Sequence, residues 1–110
     1  MLFRSIPGIV FLEENAANYA NRWLSTVLFD KKYFEEGTNE KLRLHLEKHN
    51  IESRPLWKPL HQQPVFADNK SYCNGTSDLL FATGLCLPSG SNLSVDVLQE
   101  VIAEIKSFLK

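Results

Sequence analysis

The sequence contains no glycine-rich phosphate loop, no GxSxG elbow, no CxxC pair and no HExxH helix. Without them the standard signatures of P-loop nucleotide chemistry, serine-type acyl transfer, dithiol redox exchange and zinc peptidase activity are missing. Cysteine is scarce: Cys73 and Cys86 are the only two. A pair cannot build a disulfide framework, and it fits a reducing, cytoplasmic setting. Long apolar runs are also lacking. The opening MLFRSIPGIVFL is interrupted by Arg4, Pro7 and Gly8, well short of the roughly 20 residues of a membrane span. Asn74-Gly75-Thr76 and Asn92-Leu93-Ser94 match the glycosylation pattern, but with no signal-like run they read as chance. The net charge is only −1 and its signs are interspersed, so no basic footprint for nucleic acid or an anionic membrane exists.

What is present suits a single soluble domain over 1–110, with 44% hydrophobic and 23% charged residues. Gly8 to Leu12 is short and β-branched and reads as an entering strand, and Asn21 to Asp30 as a longer one buried in part on both faces. A charged turn around Gly37 leads to a helix capped by Thr38 or Asn39 and stopped at Asn50. Ile51 to Arg54 is extended ahead of Pro55. Pro55, Pro59 and Pro64 bar regular hydrogen bonding from Leu56 to Phe66 and stiffen a segment rich in aromatic and polar side chains. Such a segment suits a binding edge. Thr76 to Thr83 forms a short helix, Leu85 to Leu87 a buried strand, and Ser94 caps a final amphipathic helix. The fold class is α/β: a small mixed sheet of three or four short strands packed against two main helices.

Few side chains point to chemistry. His45 and His49 have helical metal-ligand spacing, but no third ligand is evident, so they read as surface histidines and no metal is expected. Cys86 reads as a buried structural thiol; Cys73 lies in a polar loop with no sequence neighbour to activate it. His61, in the proline-framed segment, is placed to donate to a phosphate, a sugar hydroxyl or a carbonyl. Trp57 reads more readily as core than as a stacking ring.

The run Ile51-Glu52-Ser53-Arg54-Pro55-Leu56-Trp57-Lys58-Pro59-Leu60-His61-Gln62-Gln63-Pro64-Val65-Phe66 resembles a hallmark segment of the DegT/StrS sugar aminotransferases. Gly84-Leu85-Cys86-Leu87-Pro88-Ser89-Gly90 before a terminal helix, and Asn21-Arg22-Trp23-Leu24 upstream, fit the same family in order and spacing. The resemblance implies the carboxy-terminal small domain of a fold-type I, pyridoxal-phosphate-dependent transaminase. Within the family, the Arg-Pro-Leu-Trp-Lys-Pro run is most similar to enzymes that aminate C4 of a UDP-linked 4-keto-6-deoxy-N-acetyl sugar, with perosamine-type synthases close by. Trp57, Lys58 and His61 would then face the nucleotide sugar, with Arg54 and Gln62 as weaker contacts or braces.

The resemblance also implies what this stretch lacks. The large domain that supplies the cofactor lysine is absent, so no catalytic residue, no bound pyridoxal phosphate and no transamination are expected of the chain alone. The alternative is a non-catalytic nucleotide-sugar binding or interaction module. Apolar surface left without a large-domain partner is expected to favour docking of such a partner or self-association as a homodimer.

Overall fold

The computed structural model describes residue 3, residues 5–21 and residues 23–110. Arg22, part of the expected second strand, lies outside the described residues. Along the chain run β1 (Ile9–Phe11), β2 (Ser25–Phe29), α1 (Thr38–Lys48), β3 (Arg54–Pro55), two single 3-10 turns (Leu60–Gln62 and Pro64–Phe66), α2 (Thr76–Thr83), β4 (Gly84–Leu87) and α3 (Val95–Phe108). The strands form one sheet of order β1-β2-β4-β3.

Every pairing in that sheet is antiparallel, where the sequence suggested a mixed sheet. The reason lies in the crossover. The path β2–α1–β3 returns β3 in the direction of β2, as in a βαβ unit, but β4 inserts between them and runs opposite to both. The α/β class holds, with α2 as a third helix.

The register decides which side chains meet. Val27 pairs with Leu85 and Ser25 with Leu87, so Val27, Phe29, Leu85 and Leu87 share one face. That face packs on Leu42 and Leu46 of α1 and on Val101 and Ile105 of α3 to make the core. Leu42 and Leu46 are wholly removed from solvent. On each helix the two contacts are four residues apart, as burial of one stripe requires.

Local chemistry sets the ends of these elements. β2 begins at Ser25 rather than Asn21 because Asn21 Oδ1 accepts from Trp23 N at 3.1 Å, and such an Asx turn bends the chain out of a ladder. α1 is preceded by Gly37 in the left-handed region, not capped by Thr38 or Asn39. Thr38 Oγ1 donates back to Glu35 O at 2.8 Å, while Asn39 Nδ2 reaches Gly84 O at 3.1 Å and ties the helix to β4. At the other end Asn50 has φ 58°, Asn50 N donates to Glu47 O at 3.0 Å and Ile51 N to Leu46 O at 2.9 Å. This is a Schellman stop with asparagine in the left-handed position, its apolar clasp made by Ile51 and Leu46 in the core. α3 starts as the sequence predicts, with Ser94 Oγ accepting from Val97 N at 3.3 Å.

Gly84 joins α2 to β4 with extended backbone, so its need is for space rather than for a special φ. A Cβ there would lie 2.6 Å from Leu80 O and collide with the Leu56 side chain. Its absence lets the proline-rich segment and α2 close on the central strand.

Candidate functional site

The three prolines act in part as the sequence suggests. No α-helix or strand forms from Leu56 to Phe66, but Pro55 itself closes β3 and the chain makes two one-turn 3-10 helices, so regular hydrogen bonding is reduced rather than barred. Pro59 is buried and anchors the segment. Gln62 N donates to Pro59 O at 3.0 Å, and the Gln63 side chain donates to Lys58 O at 3.0 Å, closing the loop on itself.

His61 is the best-held polar side chain of the segment. Its Nε2 lies 2.7 Å from Asp78 Oδ1, in the first turn of α2. Gln62 Nε2 donates to the same carboxylate oxygen. On the other side of the ring, Nδ1 faces Cys73 Sγ at 3.3 Å. The hydrogen bond from His61, followed by that from Gln62, holds the Asp78 carboxyl below its usual range. Asp78 therefore works as an anionic anchor that fixes the imidazole and clamps the 3-10 turn to α2.

Trp57 is 68% exposed and Trp23 72%. Their rings are 6.3 Å apart between centroids, tilted by 48°. Trp57 is thus not core, contrary to the simpler reading of its sequence position. Two indoles facing water together form an open aromatic shelf. Lys58 beside it is exposed. Arg54 stands apart: it pairs with Glu52 on the exposed edge strand and borders a cleft of about 430 Å³ lined also by Ser53, Cys86, Pro88 and Ser89. The five expected contact residues therefore divide. Trp57, Lys58, His61 and Gln62 belong to the proline-framed segment, and Arg54 to the mouth of another cleft.

Three partners escaped the sequence reading. Asp78 is 17 residues beyond His61, and only the fold of α2 against the segment brings them together. Cys73 acquires an imidazole neighbour that is remote in sequence. Glu104 of α3 approaches His45 and His49 of α1 from 59 residues beyond His45. Both cysteines are free, Cys73 exposed and Cys86 buried, and burial pushes the Cys86 thiol up from its ordinary value.

Residues 1–106 match the profile of the DegT/DnrJ/EryC1/StrS aminotransferase family. The chain belongs to that family. It is 40% identical over 105 residues to EpsN of Bacillus subtilis (strain 168), named as a pyridoxal phosphate-dependent aminotransferase, covering 88% of this chain and 25% of that protein. It is 28% identical over 106 residues to the GDP-perosamine synthase of Vibrio cholerae, covering 94% of this chain and 28% of that one. The aminotransferase TlmJ from Streptoalloteichus hindustanus superposes with a TM-score of 0.81 at 17% identity, over 98% of this chain and 28% of TlmJ. The last of these speaks to fold alone. The chain thus spans about a quarter of the length of the curated relatives it matches.

Family membership implies pyridoxal phosphate, which requires a lysine that can form the covalent link. The eight lysines, Lys31, Lys32, Lys41, Lys48, Lys58, Lys70, Lys106 and Lys110, are all exposed. None lines the cleft beside Arg54 or the one beside Trp23. A lysine that carries such a link is often desolvated in a closed site, and none of these lysines is buried. No helix among the described residues is long and apolar enough to cross a membrane.

Proposed function

We propose that this chain is the sugar-nucleotide-facing portion of an aminotransferase acting on a nucleotide-linked 4-keto-6-deoxy sugar, with UDP-4-keto-6-deoxy-N-acetylglucosamine as the preferred candidate. By itself it does not transaminate, because no lysine on it is placed to carry the cofactor. The observation that supports this reading is the rigid proline-framed segment that turns Trp57 and Lys58 to solvent while Asp78 pins His61 behind them. The name of the perosamine synthase relative, whose product is a GDP-linked sugar, favours a nucleotide-sugar substrate class.

In this reading the Trp57 ring packs on the sugar or the base. Lys58 approaches the diphosphate as a mobile point charge. His61, with Nε2 committed to Asp78, offers its Nδ1 edge to a substrate hydroxyl in place of the Cys73 thiol. Gln62 braces that arrangement through Asp78. Arg54, paired with Glu52, serves as an edge-strand brace.

The test is a pyridoxal phosphate titration with borohydride trapping, combined with UDP-sugar calorimetry on the same sample. The expected result is no specific trapped lysine and weak UDP-sugar binding that Trp57→Ala abolishes. A single trapped lysine would overturn the proposal that the chain is silent.

A second reading is a non-catalytic module that pairs with a large-domain partner. It draws on the exposed Leu60, Val65, Tyr72 and Leu79, together with Trp57, an apolar set that a partner would cover. Stable binding to an aminotransferase partner with no gain in transamination favours that reading, whereas transamination restored on mixing with a separately produced large domain favours the first.

A further inference from the structure

The helix pair α1–α3 carries a cluster that the sugar-site reading does not use. His45 and His49 lie four residues apart on α1, so both imidazoles leave the same face one turn from each other. Their ring centroids are 4.8 Å apart. Glu104, on α3, brings one carboxylate oxygen between them: Oε2 lies 3.2 Å from His45 Nε2 and 3.5 Å from His49 Nε2. All three donor atoms fall within 4.8 Å of one another.

Those separations have a chemical meaning. A tetrahedral zinc ion holds imidazole nitrogen and carboxylate oxygen at about 2.0–2.2 Å, which places neighbouring donors about 3.3–3.5 Å apart. The two nitrogen-to-oxygen distances match the edges of such a tetrahedron, while the widest separation in the set, up to 4.8 Å, would close by a small turn of one imidazole as the ion enters. The surroundings suit an ion with one open position. His45 and Glu104 are about three-quarters buried and His49 about half, so the cluster is partly desolvated yet reachable from solvent. The Phe108 ring, 5.4 Å from that of His45, packs beside it and limits its rotation. Two imidazoles and one carboxylate select transition metals of the zinc class over magnesium or calcium, which favour oxygen donors.

The His61 cluster offers a contrast. Asp78 and Cys73 sit on opposite ring nitrogens of His61, so no single ion reaches all three side chains.

We propose that His45, His49 and Glu104 form a binding site for one divalent zinc-class ion, with water as fourth ligand, and that the ion clamps α1 to α3. The clamp joins the helix ahead of the proline-framed segment to the last helix of the chain. Its contribution is to stability, through selective binding to the folded state.

The experiment uses the full chain, freed of metal with a chelator and titrated with zinc chloride by calorimetry. Cobalt(II) serves as an absorbance probe and light scattering follows mass. The expected result is one zinc per monomer, a rise in Tm with zinc, and cobalt ligand-field bands without thiolate-to-cobalt charge transfer. His49→Gln and Glu104→Gln should each weaken zinc binding by about tenfold or more, with far-UV circular dichroism unchanged; His45→Gln is the third arm. Cys73→Ser should leave binding intact. Three results would overturn the proposal: no stoichiometric zinc uptake, undiminished uptake in a folded Glu104→Gln variant, or uptake only at one ion per two chains with dimer formation.

Discussion

His61 Nε2 stands 2.7 Å from Asp78 Oδ1, and this contact joins the proline-framed turn to the first turn of α2. Asp78 is held below its usual range, first by His61 and then by Gln62. A carboxyl with a lowered folded-state value stabilises the fold fully above its unfolded value, about 4, and loses that contribution as pH falls through the lowered one. Asp78→Ala should therefore speed amide exchange across residues 60–67 at neutral pH, and the difference should vanish in acid. Equal exchange at neutral pH would show that the His61–Asp78 contact does not hold the segment.

The two thiols should differ sharply toward alkylation. Cys73 is exposed with an imidazole nitrogen 3.3 Å away, whereas Cys86 is buried and its thiol is pushed up by desolvation. Iodoacetamide should label Cys73 first and reach Cys86 only on unfolding, with labelling of Cys73 slowed in His61→Gln. Mass spectrometry of the labelled peptides decides it. Early labelling of Cys86 would mean that β4 is open to solvent.

The two faces of α1 should separate in stability. Leu46 is wholly buried between sheet and α3, while Leu44 is 44% exposed. Leu46→Ala is expected to cost about 2–5 kcal/mol, and Leu44→Ala about 0.5 kcal/mol or less. Urea denaturation of both variants measures the contrast, and similar losses would displace the core described for this helix.

The stop of α1 is a further test. Asn50 sits at φ 58°, a region that alanine enters at a cost of about 1–2 kcal/mol. Asn50→Ala should lower stability by that order, whereas Asn50→Gly should hold or raise it. Thermal unfolding of the pair checks the sign, and a stable alanine variant would argue that the chain leaves α1 by another route.

Much of this molecule was legible in its residues because the governing physics is local. Asn50 as a helix stop, Ser94 as a cap, the Thr76–Thr83 helix and the exclusion of α-helix and strand from Leu56 to Phe66 each follow from residues within a few positions of one another. The family was legible as well, since its segments keep their order along the chain. The sheet's sense was not. Whether β4 runs beside β2 or outside β3 depends on which apolar faces bury each other across distances that no local preference spans.

The same division holds for the functional groups. The residues alone show which side chains are available: Trp57, Lys58 and His61 on a stiff segment, and two histidines one helical turn apart. Their neighbours are set by packing across the fold. That packing turned Trp57 outward beside Trp23, set Asp78 and Cys73 on opposite edges of His61, and brought Glu104 to His45 and His49. Each of these meetings joins residues distant along the chain; packing of α1 on α3 brings Glu104 within hydrogen-bonding reach of His45, and packing of α2 on the sheet brings Asp78 within reach of His61.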